Sequence, residues 1–333
     1  MTESFPFFDS QGAGFDVGAG FDSNLATVIE NVTVANDGSC VKVGGRYVTA
    51  ETTRDLCQKT ANAIYEVFHV GRRIAASGLS EHSFQRSLHD PVLVRRLESS
   101  ILHTVSPVVI SRIDRSCVDA RIVVIDGLRI LLEPADEIED GQVWFPAVRR
   151  GLSPGFLLVD GSRGRPASGP LLRVYLQVGD PDDGVRLWGE VIRRLESARV
   201  RYRAKVTSAE RLYPRRDGLV VYIGEDAWGI IPALIQELQS KEKVCQPNLS
   251  SEFARVISPG VALAWEPKDT RPGRRGVSFG QHRAAAIADA LFAATPAGGG
   301  RPLRECLERE FREANIDFTA IHRNINSPKL PYC

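Results

Sequence analysis

Three short runs between Leu172 and Ile223 constrain the fold most, because each alternates apolar and polar side chains or is apolar almost throughout. In Arg173-Val174-Tyr175-Leu176-Gln177-Val178 the polar set falls on the odd positions. Arg201-Tyr202-Arg203-Ala204-Lys205-Val206 repeats the alternation, with Arg201, Arg203 and Lys205 on one side. Leu219-Val220-Val221-Tyr222-Ile223 is apolar apart from Tyr222. Successive side chains point to opposite faces of a strand, so each of the first two runs gathers its polar residues on one face. If these strands pair, that face carries Arg173, Tyr175, Arg201, Arg203 and Lys205 and no carboxylate. Such a face is expected to take its anion from outside.

The rest of the chain is read around this core. With 333 residues it is long enough for two domains. Hydrophobic content of 43%, charged content of 25% and a net charge of +1 are those of an ordinary globular chain. Nothing global favours nucleic acid or an anionic membrane, so any attraction for anions must be local. No apolar run has the length of a membrane span and no basic-then-apolar segment opens the chain, which predicts a cytoplasmic protein. The six cysteines form no CxxC pair and are expected as thiols in a reducing compartment. The histidines lack paired-ligand spacing, so no metal site is expected.

Taken in order, residues 1–25 repeat a Gly-Phe-Asp theme without helical or strand period and are expected as a disordered tail. Two strands are expected around Thr27–Val34 and Cys40–Thr49, joined by an Asn36-Asp37-Gly38 turn. Thr52 or Thr53 caps a helix to about Arg72, and further helix is expected over Ser80–Leu102. Val108–Leu132 reads as a β-meander, followed by strands at Gln142–Val148 and up to Val159. The stretch 161–169 (GSRGRPASG) has linker composition and separates a 26–160 domain from a 170–333 domain. Helices are expected over Val185–Ala198, Trp228–Ser240, Ser278–Ala294 and Leu303–Ala314. The order strand, helix, strand, strand, helix predicts an α+β fold with a mainly antiparallel sheet.

Several residues on this frame suit anion chemistry. Neighbouring arginines favour the neutral form of Lys205, which is the form a general base needs. Arg173, Arg203, Arg215, Arg216 and Arg283 are candidates for bidentate binding of phosphate or carboxylate. Ser278-Phe279-Gly280-Gln281-His282-Arg283 opens a helix whose free N–H groups suit an anion, with Gln281 or His282 as further donors. No nucleophile elbow, P-loop or dinucleotide fingerprint sits between strand and helix.

Six motifs in order carry a family resemblance: LSPGF at 152–156, RVYLQV at 173–178, RYRAKV at 201–206, YPRRDGLVVYI at 213–223, GVALAWEP at 260–267 and SFGQHR at 278–283. Together they resemble the Hop-A-type, type III effector-like family of actinobacteria. Its members stand beside kinase-like proteins in pathways making class V lanthipeptides and thioamitides. The second half is also similar, more remotely, to phosphothreonine lyases that bacteria inject into hosts.

The resemblance implies a lyase that removes phosphate from phosphothreonine or phosphoserine of a ribosomal precursor peptide, leaving dehydrobutyrine or dehydroalanine. Lys205, followed by Val206-Thr207, matches the base of the injected lyases, and Arg173 matches a basic residue two positions before their acid. The acid there is a histidine, where this chain has Tyr175; Tyr175 or His282 is the candidate here. Arg216 (or Arg215), Tyr222 and Arg283 match phosphate-binding positions. No cofactor is implied. The expected partners are a phosphorylated precursor peptide and a kinase-like protein, with homo- or hetero-oligomers allowed; the 26–160 domain is expected to bind the leader or the kinase. Two rival readings are a phosphopeptide-binding module without catalysis and an effector lyase acting on host phosphoproteins.

Overall fold

The computed structural model describes residues 22–35, 38–72, 89–117, 120–125, 127–133, 136, 138–239 and 250–330. Residues 1–21 of the expected 1–25 tail, the helical stretch at 80–88 and the first two residues of the Asn36-Asp37-Gly38 turn lie outside them, while the last residues of that tail, Ser23–Leu25, are not disordered but open a helix capped by Asp22. In chain order come α1 (Ser23–Glu30), β1 (Val32–Val34), β2 (Cys40–Val43), β3 (Arg46–Thr49) and α2 (Thr53–Ile64), which continues as a π-helical turn, Tyr65–Val70. Next are α3 (Pro91–Glu98), β4 (Val105–Val109), β5 (Arg112–Cys117), β6 (Ala120–Ile125), β7 (Leu128–Leu132), β8 (Ile138–Glu139) and β9 (Gln142–Pro146). Then follow β10 (Phe156–Asp160), β11 (Leu172–Val178), α4 (Pro181–Ser197), β12 (Tyr202–Thr207), β13 (Arg215–Ile223) and α5 (Ile231–Gln239). The last are β14 (Arg255–Ser258), β15 (Val261–Trp265), α6 (Phe279–Ala294) and α7 (Leu303–Glu313). This is the α+β class expected, with antiparallel pairing throughout the recorded registers.

The chain divides into two units, each discontinuous in sequence: Met1–Ser83 with Arg215–Asp217 and Gln246–Cys333, and Phe84–Pro214 with Gly218–Cys245. In the first unit, Asp22 caps α1 by accepting from the Asn24 and Leu25 amides. The helix buries Leu25, Val28 and Ile29. That i, i+3, i+4 spacing wins over the β-branched Thr27 and Val28, so the strand expected from Thr27 begins only at Val32. The single strand expected over Cys40–Thr49 is a hairpin, turned at Gly44 and Gly45 with φ of 54° and 91°. Thr52 caps α2 as expected, accepting from the Asp55 amide at 3.2 Å. β14 and β15 form another hairpin, and α6 opens with a capping box in which Ser278 and Gln281 satisfy each other's backbone.

In the second unit, the expected meander divides between two sheets. β5, β6 and β7 form one, whereas Val108 lies in β4, which pairs with β9 in a sheet of order β4-β9-β8. Val108, Val123, Ile125, Leu132 and Val143 make a common core for the two. The site-bearing strands run in the order β10-β12-β13-β11. One face of them buries Leu157, Val159, Tyr202, Ala204, Val206, Leu219 and Val221. α4 packs against this layer with Leu187, Trp188, Val191, Ile192 and Leu195. Each such large side chain contributes roughly 1.5–3 kcal/mol on burial, and the Trp188 indole N–H donates to the Leu97 carbonyl at 3.1 Å.

The glycine-rich stretch 161–169 is held against β12. Gly161 N donates to Tyr202 O at 3.0 Å, and Tyr202 N donates to Gly164 O at 3.2 Å. A Cβ on Gly161 would come within 2.6 Å of the Tyr202 ring, so close backbone approach accounts for that glycine. Cys40, Cys57 and Cys306 are free thiols. Among the described residues no helix is long and apolar enough to cross a membrane, and no group of three or more His, Cys, Asp or Glu is arranged to hold a metal ion.

Candidate active site

The polar face of β10-β12-β13-β11 is built by strand alternation. β10 contributes Phe156, Leu158 and Asp160, and β12 contributes Arg203, Lys205 and Thr207. Across β12 and β13, Arg203 stands opposite Tyr222 and Lys205 opposite Val220. Arg173 of β11 lies with its guanidinium 4.9 Å from the centre of the Tyr222 ring, which places Arg173, Tyr175 and Gln177 on this same face. The Arg173 guanidinium donates to the Tyr175 hydroxyl at 3.3 Å, and the two residues are 5% and 2% exposed.

The face is not free of carboxylates, as the sequence suggested. Asp160 stands directly opposite Arg203, which grips it through two hydrogen bonds of 2.6 and 3.0 Å. Arg149 adds a third at 3.3 Å from the chain entering the edge of β10, where Arg149 N donates to Leu158 O. Arg203 is therefore committed to a protein carboxylate. Arg201 precedes β12 and is exposed. Lys205 stays half-buried, with its ammonium 4.2 Å from the centre of the Phe156 ring, and no described carboxylate lies within ion-pair distance.

The remaining expected ligands lie in the first unit. Arg215 forms a bidentate pair with Asp217 at 2.8 and 2.9 Å and also donates to the Tyr65 hydroxyl at 3.4 Å. Burial opposes the Arg215 charge, but Asp217 overrides it and holds the guanidinium protonated beyond its ordinary range. Arg216 donates to the Phe68 carbonyl and to Glu252, at 3.1 and 3.0 Å. Arg283 is fully buried, donating to the carbonyls of Ile321 and Arg323 at 2.7 and 3.0 Å. His282 joins Asp269 at 3.0 Å through Nε2 and Arg283 at 2.6 Å through Nδ1. With 2% exposure and both nitrogens engaged, it fastens α6 to the Asp269 loop. Burial, reinforced by Arg283, pushes His282 down to about 3. Gln281 is exposed at the start of α6, its carboxamide oxygen accepting from Ser278.

Sequence reasoning missed Arg149, Asp160 and Phe156. The alternation Phe156-Leu158-Asp160 was present, but it stands on the other side of the glycine-rich stretch from the runs it pairs with.

The fold is of the α+β class, and one face of its central strands gathers Arg173, Arg203 and Lys205 together with Asp160. The HopA1 effector protein family model matches residues 147–323, more than half of the chain, and the chain belongs to that family. Two solved effector structures resemble it. The effector protein from Pseudomonas syringae pv. tomato strain DC3000 is 12% identical with a TM-score of 0.45, covering 81% of this chain and 95% of that one. The effector protein from Pseudomonas syringae pv. syringae strain 61 is 14% identical with a TM-score of 0.43, covering 83% and 99%. No curated protein matches the chain.

Proposed function

We propose that the protein is a phosphothreonine/phosphoserine lyase that converts phosphorylated residues of a ribosomal precursor peptide, made by a kinase partner, into dehydroamino acids. The observation that carries this reading is Lys205. It stands on an internal strand, half-buried, without a carboxylate partner among the described residues, while Asp160 is occupied by Arg203 and Arg149. In the proposed step the neutral Lys205 amine removes the Cα proton of the phosphorylated residue. The electron pair forms the Cα=Cβ bond as the Cβ–O bond breaks, and phosphate leaves with a proton from the Tyr175 hydroxyl. Arg173 orients that hydroxyl and, beside Tyr222, opposes the charge that develops on the leaving group. His282 and Arg283 are assigned to scaffolding, as their buried hydrogen bonds suggest.

A general base contributes roughly 10²–10⁴-fold to such a step. Incubating a phosphothreonine peptide with the protein should therefore yield a product lighter by one phosphoric acid, and Lys205→Ala should lose at least about a hundredfold in rate. A phosphopeptide that binds and returns unchanged would replace the lyase with a binding module. Membership of a family described as effectors favours a second reading, in which the same chemistry acts on a folded host phosphoprotein. Conversion of such a protein but not of linear peptides would select it.

A further inference from the structure

Gln177 is a polar residue on the site face that the proposed elimination leaves unused. It shares β11 with Arg173 and Tyr175, four and two positions before it, so strand alternation turns it to the face of Lys205 and Tyr222. It is 7% exposed, and its carboxamide oxygen is buried without a hydrogen-bond partner among the described residues. Buried acceptors are nearly always paired in folded proteins, and an orphan in a site is explained most simply by a ligand that brings the donor. A phosphate dianion brings none. A peptide backbone N–H does.

We infer that Gln177 positions the substrate by accepting a main-chain N–H adjacent to the phosphorylated residue, so that the site takes a phosphorylated residue within a peptide and discriminates against the free phosphoamino acid. This rests on the elimination reading above and names the part of the substrate beyond the phosphate. Gln177 acts through the placement of the Cα–H against Lys205 and touches no reacting atom.

The test uses the full chain, a fluorescent phosphothreonine peptide, and analogues in which one backbone N–H next to the phosphothreonine is replaced by an ester oxygen. Binding is read by anisotropy, and phosphate loss by mass spectrometry. Gln177→Met keeps the side-chain length and removes the acceptor. It should weaken binding of the amide peptide about tenfold, while one ester analogue suffers the same loss on the wild-type protein and no further loss on the variant. Thermal unfolding of Gln177→Met should be unchanged or raised, because a buried orphan acceptor has been removed. A sharply lowered Tm would make Gln177 structural and overturn the inference. Equal binding of amide and ester peptides by the wild type overturns it too, even if phosphate is lost. The expected coupling without any phosphate loss would sustain the inference and remove the lyase. A wild-type protein that neither binds nor converts the peptide overturns both.

Discussion

Replacing Asp160 by asparagine tests whether the carboxylate of β10 neutralises the site face as the geometry says. Asp160 is 1% exposed and accepts hydrogen bonds from Arg203 at 2.6 and 3.0 Å and from Arg149 at 3.3 Å. Removing one member of a fully buried ion pair costs about 3–5 kcal/mol, because the survivor is left charged and unsolvated. Here the survivors are 28% and 19% exposed, so water can recover part of that loss. We expect a destabilisation of about 2 kcal/mol. A unit of this size shifts by about 2–4 °C per kcal/mol, which gives a Tm lower by about 4–8 °C. The double variant Asp160→Asn with Arg203→Gln should lose less than the sum of the single variants, since both remove the same pair. The released guanidinium should also bind the phosphopeptide at least as tightly as before. A Tm within about 1 °C of wild type would refute the reasoning, because a paired carboxylate cannot be neutralised without cost in this setting.

Two further predictions concern the first unit. Burial and Arg283 push His282 from an ordinary 6.5 to about 3, while hydrogen bonds from Arg271 and His282 overcome burial and hold Asp269 at about 2 instead of 3.8. The unfolded chain therefore binds protons on these groups before the native chain does, and stability should fall as pH drops from about 6.5 towards 2. Denaturant titrations across that range should show the slope between pH 6.5 and 4 reduced in His282→Asn. Part of it should persist through His322, which burial pushes down to about 4; an unaltered slope in the variant would sink the assignment. Gly280→Ala should destabilise by about 2 kcal/mol, although alanine normally favours a helix by up to about 1 kcal/mol. The added Cβ would clash with the edge of the His69 ring, and that ring is held by Ser251 at 2.7 Å and packed against Phe253 and Phe279. A denaturation midpoint at or above wild type would show that His69 can move aside.

Much of the local structure was legible from period and capping. Thr52 and Ser278 each accept a backbone N–H at the helix starts expected of them, and the strands at Arg173 and Tyr202 lie where alternation put them, whereas the third strand begins at Arg215, before the apolar run at Leu219. Where two local signals competed, the sequence misled. The β-branched residues after Ala26 suggested a strand, but the spacing of Leu25, Val28 and Ile29 buries one helical face. The composition of 161–169 suggested a linker, but its glycines let the backbone lie against Tyr202.

The candidate site divides along the same line. Residue type and alternation along the chain by themselves determined that Arg203 would share a strand face with Lys205, and Arg173 with Tyr175, because the side-chain period of a strand is a local property. Tertiary structure decided which of those charges were already spent. The pairing of β10 with β12 brought Asp160 to Arg203. An ion pair depends on which strands become neighbours and in what register, and no local pattern specifies that. Only the fold could therefore separate Lys205, which meets no carboxylate among the described residues, from the arginines that hold the protein together.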